Sequence, residues 1–206
     1  MKEFAFSLRP EEPRDHAEVE HLTREAFWNV HEPGCVEHYL LHVLRDSPGY
    51  LPDLHYLAVM AEQIVGSIVY SRCTVVADSG ERWPLLTFGP LSVLPAYQRR
   101  GIGSALIGHT LALARERGER AIILFGNPTY YGRFGFRPSA DYSITLPDGS
   151  SFDAFQTLEL YPGALAGIGG RYYHDEAFEG LDAERVDAFD ASFPPKIKQR
   201  LPGQLR

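Results

Sequence analysis

Apolar and polar positions along the chain recur at spacings that define most of its elements. Phe4-Ala5-Phe6-Ser7-Leu8 reads as a short opening strand, ended by Arg9-Pro10. Ala17, Val19, Leu22, Ala26 and Phe27 then fall at helical spacing, which predicts a helix from an Asp15 cap to about Trp28. Pro33-Gly34 breaks that run, and Val36 to Arg45 gives a second helical stretch before Ser47-Pro48-Gly49. Leu54 to Met60 is β-like, a turn falls near Glu62-Gln63, and Ile64 to Val76 is a longer Val- and Ile-rich strand, so the two predict a hairpin. Past a turn at Asp78-Ser79-Gly80, Leu85 to Leu94 is another apolar strand, with Gly89-Pro90 in its middle. Proline cannot donate to a strand ladder, so a bulge or splay is expected there.

Gly101 to Arg117 carries the strongest helical pattern. Ile102, Ala105, Leu106, Leu113 and Ala114 are its core candidates, the charges come only at Arg115-Glu116-Arg117, and Gly118 supplies the stop. Ala121 to Phe125 is wholly apolar, as a central parallel strand should be. Helix, glycine stop and buried strand make a β-α-β crossover. A short helical turn after Pro128 leads to two further strands, Phe136 to Ile144 and Phe152 to Leu160. Beyond Tyr161 the chain is punctuated by Gly and Pro, with one helix signal near Ala177 to Phe189 and a basic tail, FPPKIKQRLPGQLR. This order predicts an α+β fold with a mixed sheet. No linker divides it, so residues 1–160 are expected to form one domain, with 161–206 an extension packed on or beside it.

Composition narrows the function classes. The 20 Lys and Arg against 27 Asp and Glu give a net charge of −7, without the basic footprint of a nucleic-acid binder. No apolar run is long enough to cross a bilayer, and no signal-peptide core precedes the first charges. Cys35 and Cys73 stand far apart with no CxxC partner, which fits a reduced cytoplasm and structural thiols. The histidines form no HExxH pair, so no metal is expected.

Against this acidic background, Gln98-Arg99-Arg100-Gly101-Ile102-Gly103 puts paired cations and two glycines at the mouth of the best helix. A helix start has unpaired N–H groups and partial positive charge, so it favours phosphate, and glycine lets the backbone approach the anion. Arg99 and Arg100 would balance a diphosphate, or else are simply solvated cations. A dinucleotide fingerprint would need a third glycine where Leu106 stands, and a Walker loop would need GK[ST], so both of those readings fall.

Downstream comes Asn127-Pro128-Thr129-Tyr130-Tyr131-Gly132-Arg133-Phe134-Gly135-Phe136. Loop, helix, buried strand, Asn and Tyr-x-x-Phe-Gly-Phe, in that order from Leu85 to Arg137, resemble the GNAT superfamily of acyl-CoA-dependent N-acyltransferases, in the form found in bacterial predicted N-acetyltransferases. The resemblance implies a twisted, mostly antiparallel mixed sheet of six to seven strands flanked by helices, with a β-α-β core for coenzyme A. It implies that the backbone of Leu91, Ser92 and Val93 pairs with pantetheine and that the amides of Arg99, Arg100, Gly101, Ile102, Gly103 and Ser104 hold the pyrophosphate. Asn127 would bond the pantetheine through its amide, with a plain Asn-Pro turn as the alternative. Tyr131 takes the general-acid slot, Tyr130 being its rival. A phenol of pKa about 10 is protonated at neutral pH and can donate to a departing thiolate.

The stretch LLTFGPLSVL offers no carboxylate or histidine where many family members keep a base. Glu37, His38, Asp53, His55 and Glu81 are candidates by type alone, and none is assigned. The implied activity is acetyl transfer from acetyl-CoA to a primary amine of a small molecule, amino acid or peptide, through a ternary complex. A non-catalytic acyl-CoA-binding module and an acyltransferase for longer chains are the alternatives, and a homodimer is compatible with the resemblance.

Overall fold

The computed structural model describes residues 5–179 and 181–204. Its strands are β1 (Ser7–Pro10), β2 (Tyr56–Met60), β3 (Gln63–Val76), β4 (Arg82–Val93), β5 (Ala121–Phe125), β6 (Arg137–Pro138), β7 (Ile144–Thr145), β8 (Phe155–Glu159) and β9 (Gly170–Tyr173). The helices are α1 (His16–Phe27), α2 (Glu37–Leu44), α3 (Ile102–Glu116), α4 (Pro128–Tyr131) and α5 (Ala183–Asp190). The strands form one open mixed sheet in the order β1-β2-β3-β4-β5-β8-β6, with β9 beside β3 and β7. Pairing is antiparallel for β1–β2, β2–β3, β5–β8 and β6–β8, and parallel for β4–β5, as the α3 crossover requires.

Among the described residues the sheet has nine strands, more than the six to seven expected. Part of the excess is fragmentation. The stretch from Phe136 to Ile144 is not one strand: Pro138 ends β6, Ser139–Tyr142 turns as a 3-10 helix, and Ser143 is left-handed at φ +56 before β7. The rest is β9, which a Gly-rich segment supplies. Phe152 to Leu160 shortens to β8, because Phe152 enters a turn that accepts the Phe155 N–H. The helix expected near Ala177 to Phe189 splits into a 3-10 turn at Glu176–Phe178 and α5, whose start is capped by Asp182. Asp15 does precede α1, yet its carboxylate caps nothing in that helix; it pairs with Arg9 at 2.6 Å and accepts the Glu12 N–H. Phe4, placed in the opening strand by the sequence, lies outside the described residues.

Two compact units are present. One comprises Met1–Val69, Pro90–Ile107 and Glu176–Arg206, the other Tyr70–Gly89 and Gly108–Asp175. The first unit has a core of Val19 and Leu22 from α1, Leu41 and Leu44 from α2, and Leu57, Ile64 and Val69 from the β2–β3 hairpin. Residues 181–204 fasten to the same unit: Arg24, 1% exposed along its side chain, bonds Asp190 at 2.6 Å, and Lys196 bonds Glu25 at 2.9 Å. The second unit packs Val75, Leu85, Ile123, Ile144, Phe155, Leu165, Ile168 and Tyr172 into its own core. The fold thus leaves the glycine loop in the first unit and the Asn-Pro-x-Tyr-Tyr segment in the second.

Candidate active site

In the first unit, β4 ends at Leu91, Ser92 and Val93. Ser92 is buried and its Oγ donates to Thr23 Oγ1 on α1 at 3.0 Å, so its side chain is committed to the core while the strand backbone runs on. Gly89, inside the continuous strand β4, has φ +145, a conformation that favours glycine. Gly66 on β3 seats the start of α3: a Cβ there would lie 2.9 Å from Ile102 Cγ2 and 3.2 Å from the Ser92 carbonyl oxygen.

The loop between β4 and α3 is tied down at both sides. Gln98 Nε2 donates to the Val93 carbonyl at 3.1 Å, and Tyr97 Oη donates to Gln63 Oε1 at 3.0 Å. Arg99 and Gly101 are left-handed, at φ +60 and +85, with Arg100 at negative φ between them. Alternating hand turns successive N–H groups toward one concave side, a geometry that suits anions. Ala105 N–H is the first of α3 to reach back to a carbonyl, that of Gly101 at 2.9 Å, so the amides of Ile102, Gly103 and Ser104 lead the helix as its unpaired first turn. Arg99 and Arg100 are exposed, and the Arg100 guanidinium lies 5.7 Å from the Tyr97 ring centroid. A left-handed arginine is a strained choice, as expected where a loop is shaped for a ligand.

In the second unit, Asn127 follows β5 and caps α4. Its Oδ1 accepts from Thr129 N at 2.9 Å and Tyr130 N at 3.3 Å, so the turn role is realised and the Nδ2 end is what remains for a ligand. The cap positions Tyr131, whose N–H bonds the Asn127 carbonyl at 3.0 Å. The Tyr131 ring packs among Tyr130, Phe136 and Phe88 at 5.0, 5.7 and 5.8 Å between centroids. It also packs against Gly126, where a Cβ would collide with Cε2. Burial pushes the Tyr131 phenol above its ordinary range, which keeps it a proton donor. Tyr130 is distinguished by an Arg133 guanidinium 4.6 Å from its ring.

Sequence reasoning passed over Gly66, Gly126, Tyr70 and Phe88. Tyr70 is fully buried, shares a 3.0 Å hydrogen bond with Thr110 and packs on Phe88 at 5.1 Å, supporting the ring that Tyr131 meets. The available signals were an unexplained glycine beside Asn127 and an aromatic at the place where a base was sought.

The base candidates separate clearly. His55 is buried between Glu11 and Ser67, its Nδ1 2.8 Å from Glu11 Oε2 and its Nε2 3.0 Å from Ser67 Oγ. His38 is buried beside Cys35, at 3.2 Å, and burial holds it down at about 4. Burial likewise pushes the Cys35 thiol up to about 12, which makes it inert. Asp53 and Glu81 are exposed in turns. Glu37, partly buried at the start of α2, accepts the Val36 N–H at 3.1 Å; burial, with Glu32 nearby, pushes it up to about 7. Among the described residues no group of three or more His, Cys, Asp or Glu is arranged to hold a metal, and no helix is long and apolar enough to cross a membrane.

Comparison with known proteins meets this geometry from outside. A family model described as an acetyltransferase (GNAT) domain matches residues 7–139. The N-acetyltransferase YhbS of Escherichia coli, itself uncharacterized, is 30% identical over 172 residues, covering 83% of this chain and 97% of the relative. YjhQ of the same organism is 29% identical over 169 residues, covering 79% and 90%. Two solved structures are similar: YhbS in complex with CoA (TM-score 0.76, 28% identity, 88% of this chain and 96% of that one) and a GNAT acetyltransferase of Brucella melitensis in complex with acetyl-CoA (0.67, 30%, 85% and 99%). A glycine loop opening a long helix, a phenol held beyond the next strand and these matches lead to one conclusion: the chain belongs to the GNAT acetyltransferase family and is an acyltransferase.

Proposed function

We propose that the protein transfers the acetyl group of acetyl-CoA to a primary amine by direct attack in a ternary complex. The observation that carries this reading is the half-buried Tyr131 phenol, seated against Gly126 and protonated at neutral pH. When bound, acetyl-CoA supplies an acyl thioester. The backbone of Leu91, Ser92 and Val93 holds its pantetheine, strand to strand. The amides from Arg99 to Ser104 hold the pyrophosphate, with Arg99 and Arg100 adding charge, and Asn127 offers its Nδ2 group. The similar structures with CoA and acetyl-CoA support this assignment of the donor.

In the transfer, the amine nitrogen bonds to the carbonyl carbon as the carbon–sulfur bond breaks. Tyr131 donates its proton to the leaving sulfur, the nitrogen loses one to solvent, and solvent returns one to Tyr131. An alkylammonium has a pKa of about 10, so only its neutral fraction attacks. The test incubates the full chain with acetyl-CoA and a panel of small amines, amino acids and peptides, and follows the free coenzyme A thiol. Amine-dependent thiol release is expected. Acetyl-CoA binding without turnover of any amine would reduce the protein to a binding module.

A further inference from the structure

Phe125 is the last residue of β5, immediately before the glycine that Tyr131 packs against, yet 49% of its surface is exposed. Phe152, from the loop before β8, is also 49% exposed. The two rings are stacked, 5.9 Å apart at 28°. Both rest on buried aromatics: Phe155 stacks on Phe125 at 5.0 Å and Tyr172 meets it edge-on at 5.8 Å. Two phenyl groups are therefore held half in water on a fixed aromatic base. Such apolar surface is uncompensated until something covers it.

Its place in the fold says what does. The carboxyl end of a parallel strand in an open sheet is where ligands collect. Side chains alternate along a strand, so Phe125 leaves on the side opposite Leu124. Tyr131 arrives from the Leu124 side, since the Cβ position at Gly126 that it overlaps is also 3.2 Å from Leu124 Cδ1. The two rings therefore flank the strand end from opposite sides. An acid that protonates the leaving sulfur belongs on the donor side, and the nucleophile comes from the other. Asp153, exposed next to Phe152, adds a carboxylate suited to a cationic amine.

We propose that Phe125 and Phe152 form the platform for the ring of an aromatic amine acceptor, a refinement that rests on the acetyl-transfer reading above. An aromatic contact of this kind is worth about three- to tenfold in affinity.

The test compares phenethylamine with n-butylamine in two readouts, acetylation kinetics and calorimetric binding to the CoA-saturated full chain. Phenethylamine is expected to show the lower KM and the measurable binding. Phe125→Ala and Phe152→Ala should each shrink the KM ratio between the two amines about three- to tenfold and weaken phenethylamine binding, and Phe125→Tyr should restore both. Melting curves exclude unfolding as the cause, and Phe125→Leu keeps an apolar side chain without the ring. Equal loss for both amines, an unchanged ratio, or no phenethylamine binding would overturn the proposal even if the enzyme is active. Phe125-dependent self-association without amine binding would overturn it in favour of a second copy as the occupant. Ring-dependent binding with no turnover would leave the platform standing and remove the acetyl-transfer reading.

Discussion

The two units solve different problems with different chemistry. In the proposed reading the first binds through backbone and charge, by left-handed Arg99 and Gly101 and the leading amides of α3, and the same unit holds a framework of buried ions, Glu11 with Arg45 and Arg24 with Asp190. The second is built of rings, with Tyr70, Phe88, Tyr131 and Phe136 in one run and Phe125, Phe152, Phe155 and Tyr172 in another. An anion cradle needs dipoles that are fixed but wet, because phosphate stays partly hydrated. A proton donor to a leaving thiolate needs a dry setting that holds it neutral until the moment of transfer. Donor affinity should therefore reside in the first unit and the rate of the chemical step in the second.

Paired substitutions test that division. Tyr131→Phe should lower kcat about 10²- to 10⁴-fold, the range for removing a positioned general acid, with little change in acetyl-CoA affinity. Gly126→Ala should act in the same direction by forcing the ring off its seat. Gly101→Ala, with φ at +85 but open space around its Cβ position, strains only the loop by about 1–2 kcal/mol and should appear as a higher KM for acetyl-CoA. Steady-state kinetics with titrated acetyl-CoA read both effects, and a swap of the two signatures would end the comparison.

The ion framework makes the next largest claim. Asp190→Asn leaves the Arg24 guanidinium buried without its counter-charge, which should destabilise the protein by about 3–5 kcal/mol. Denaturant melts measure it. Arg24→Met with Asp190→Leu should recover much of the loss, because the apolar pair needs no desolvation. A single variant that melts like the wild type would show that the segment from Glu176 onward contributes little to its unit.

What the sequence made legible follows from the range of the forces involved. The β2–β3 hairpin, α3 with its Gly118 stop and β5 were readable because periodicity and local turn chemistry specify them. The glycine loop was readable as a loop because its backbone turns left-handed at Gly101, a conformation that glycine advertises. Asp15 misled, because Arg9 reaches it from an adjacent strand and outcompetes the cap. The aromatic seat of Tyr131 was not legible: Phe88 and Gly126 lie far apart along the chain and become one surface only when β4 pairs with β5. Residues Phe136 to Ile144 carried a strand-like pattern, but the Ser139–Thr157 hydrogen bond at 2.8 Å and the left-handed Ser143 favour a turn. No single-sequence pattern encodes that choice.

One further effect shows itself only as a pH dependence and concerns Glu37, the carboxyl group that burial lifts to about 7. The folded chain then holds this proton more tightly than the unfolded chain, where the group titrates at about 4.5. Between these values the folded state binds more protons, so its stability falls as pH rises from 4.5 through 7 and levels off above. Glu37→Gln removes the charge that must be buried. Its melting temperature should match the wild type near pH 4.5 and exceed it increasingly up to pH 8, by at most about 3 kcal/mol of stability. Glu11 titrates in the opposite sense: burial alone would raise it, but His55 and Arg45 outweigh that and hold it at about 2, so its contribution is present above 4.5 and is lost as pH falls toward 2. That loss is common to both proteins and cancels in the difference. Glu32→Gln, which removes the neighbouring like charge, should lower the pH at which the difference levels off and so make it smaller. A constant offset between Glu37→Gln and wild type from pH 4.5 to 8 would mean that Glu37 is ionised throughout. The first unit would then hold a third fixed anion beside Glu11 and Asp190 in place of a group that titrates near neutrality.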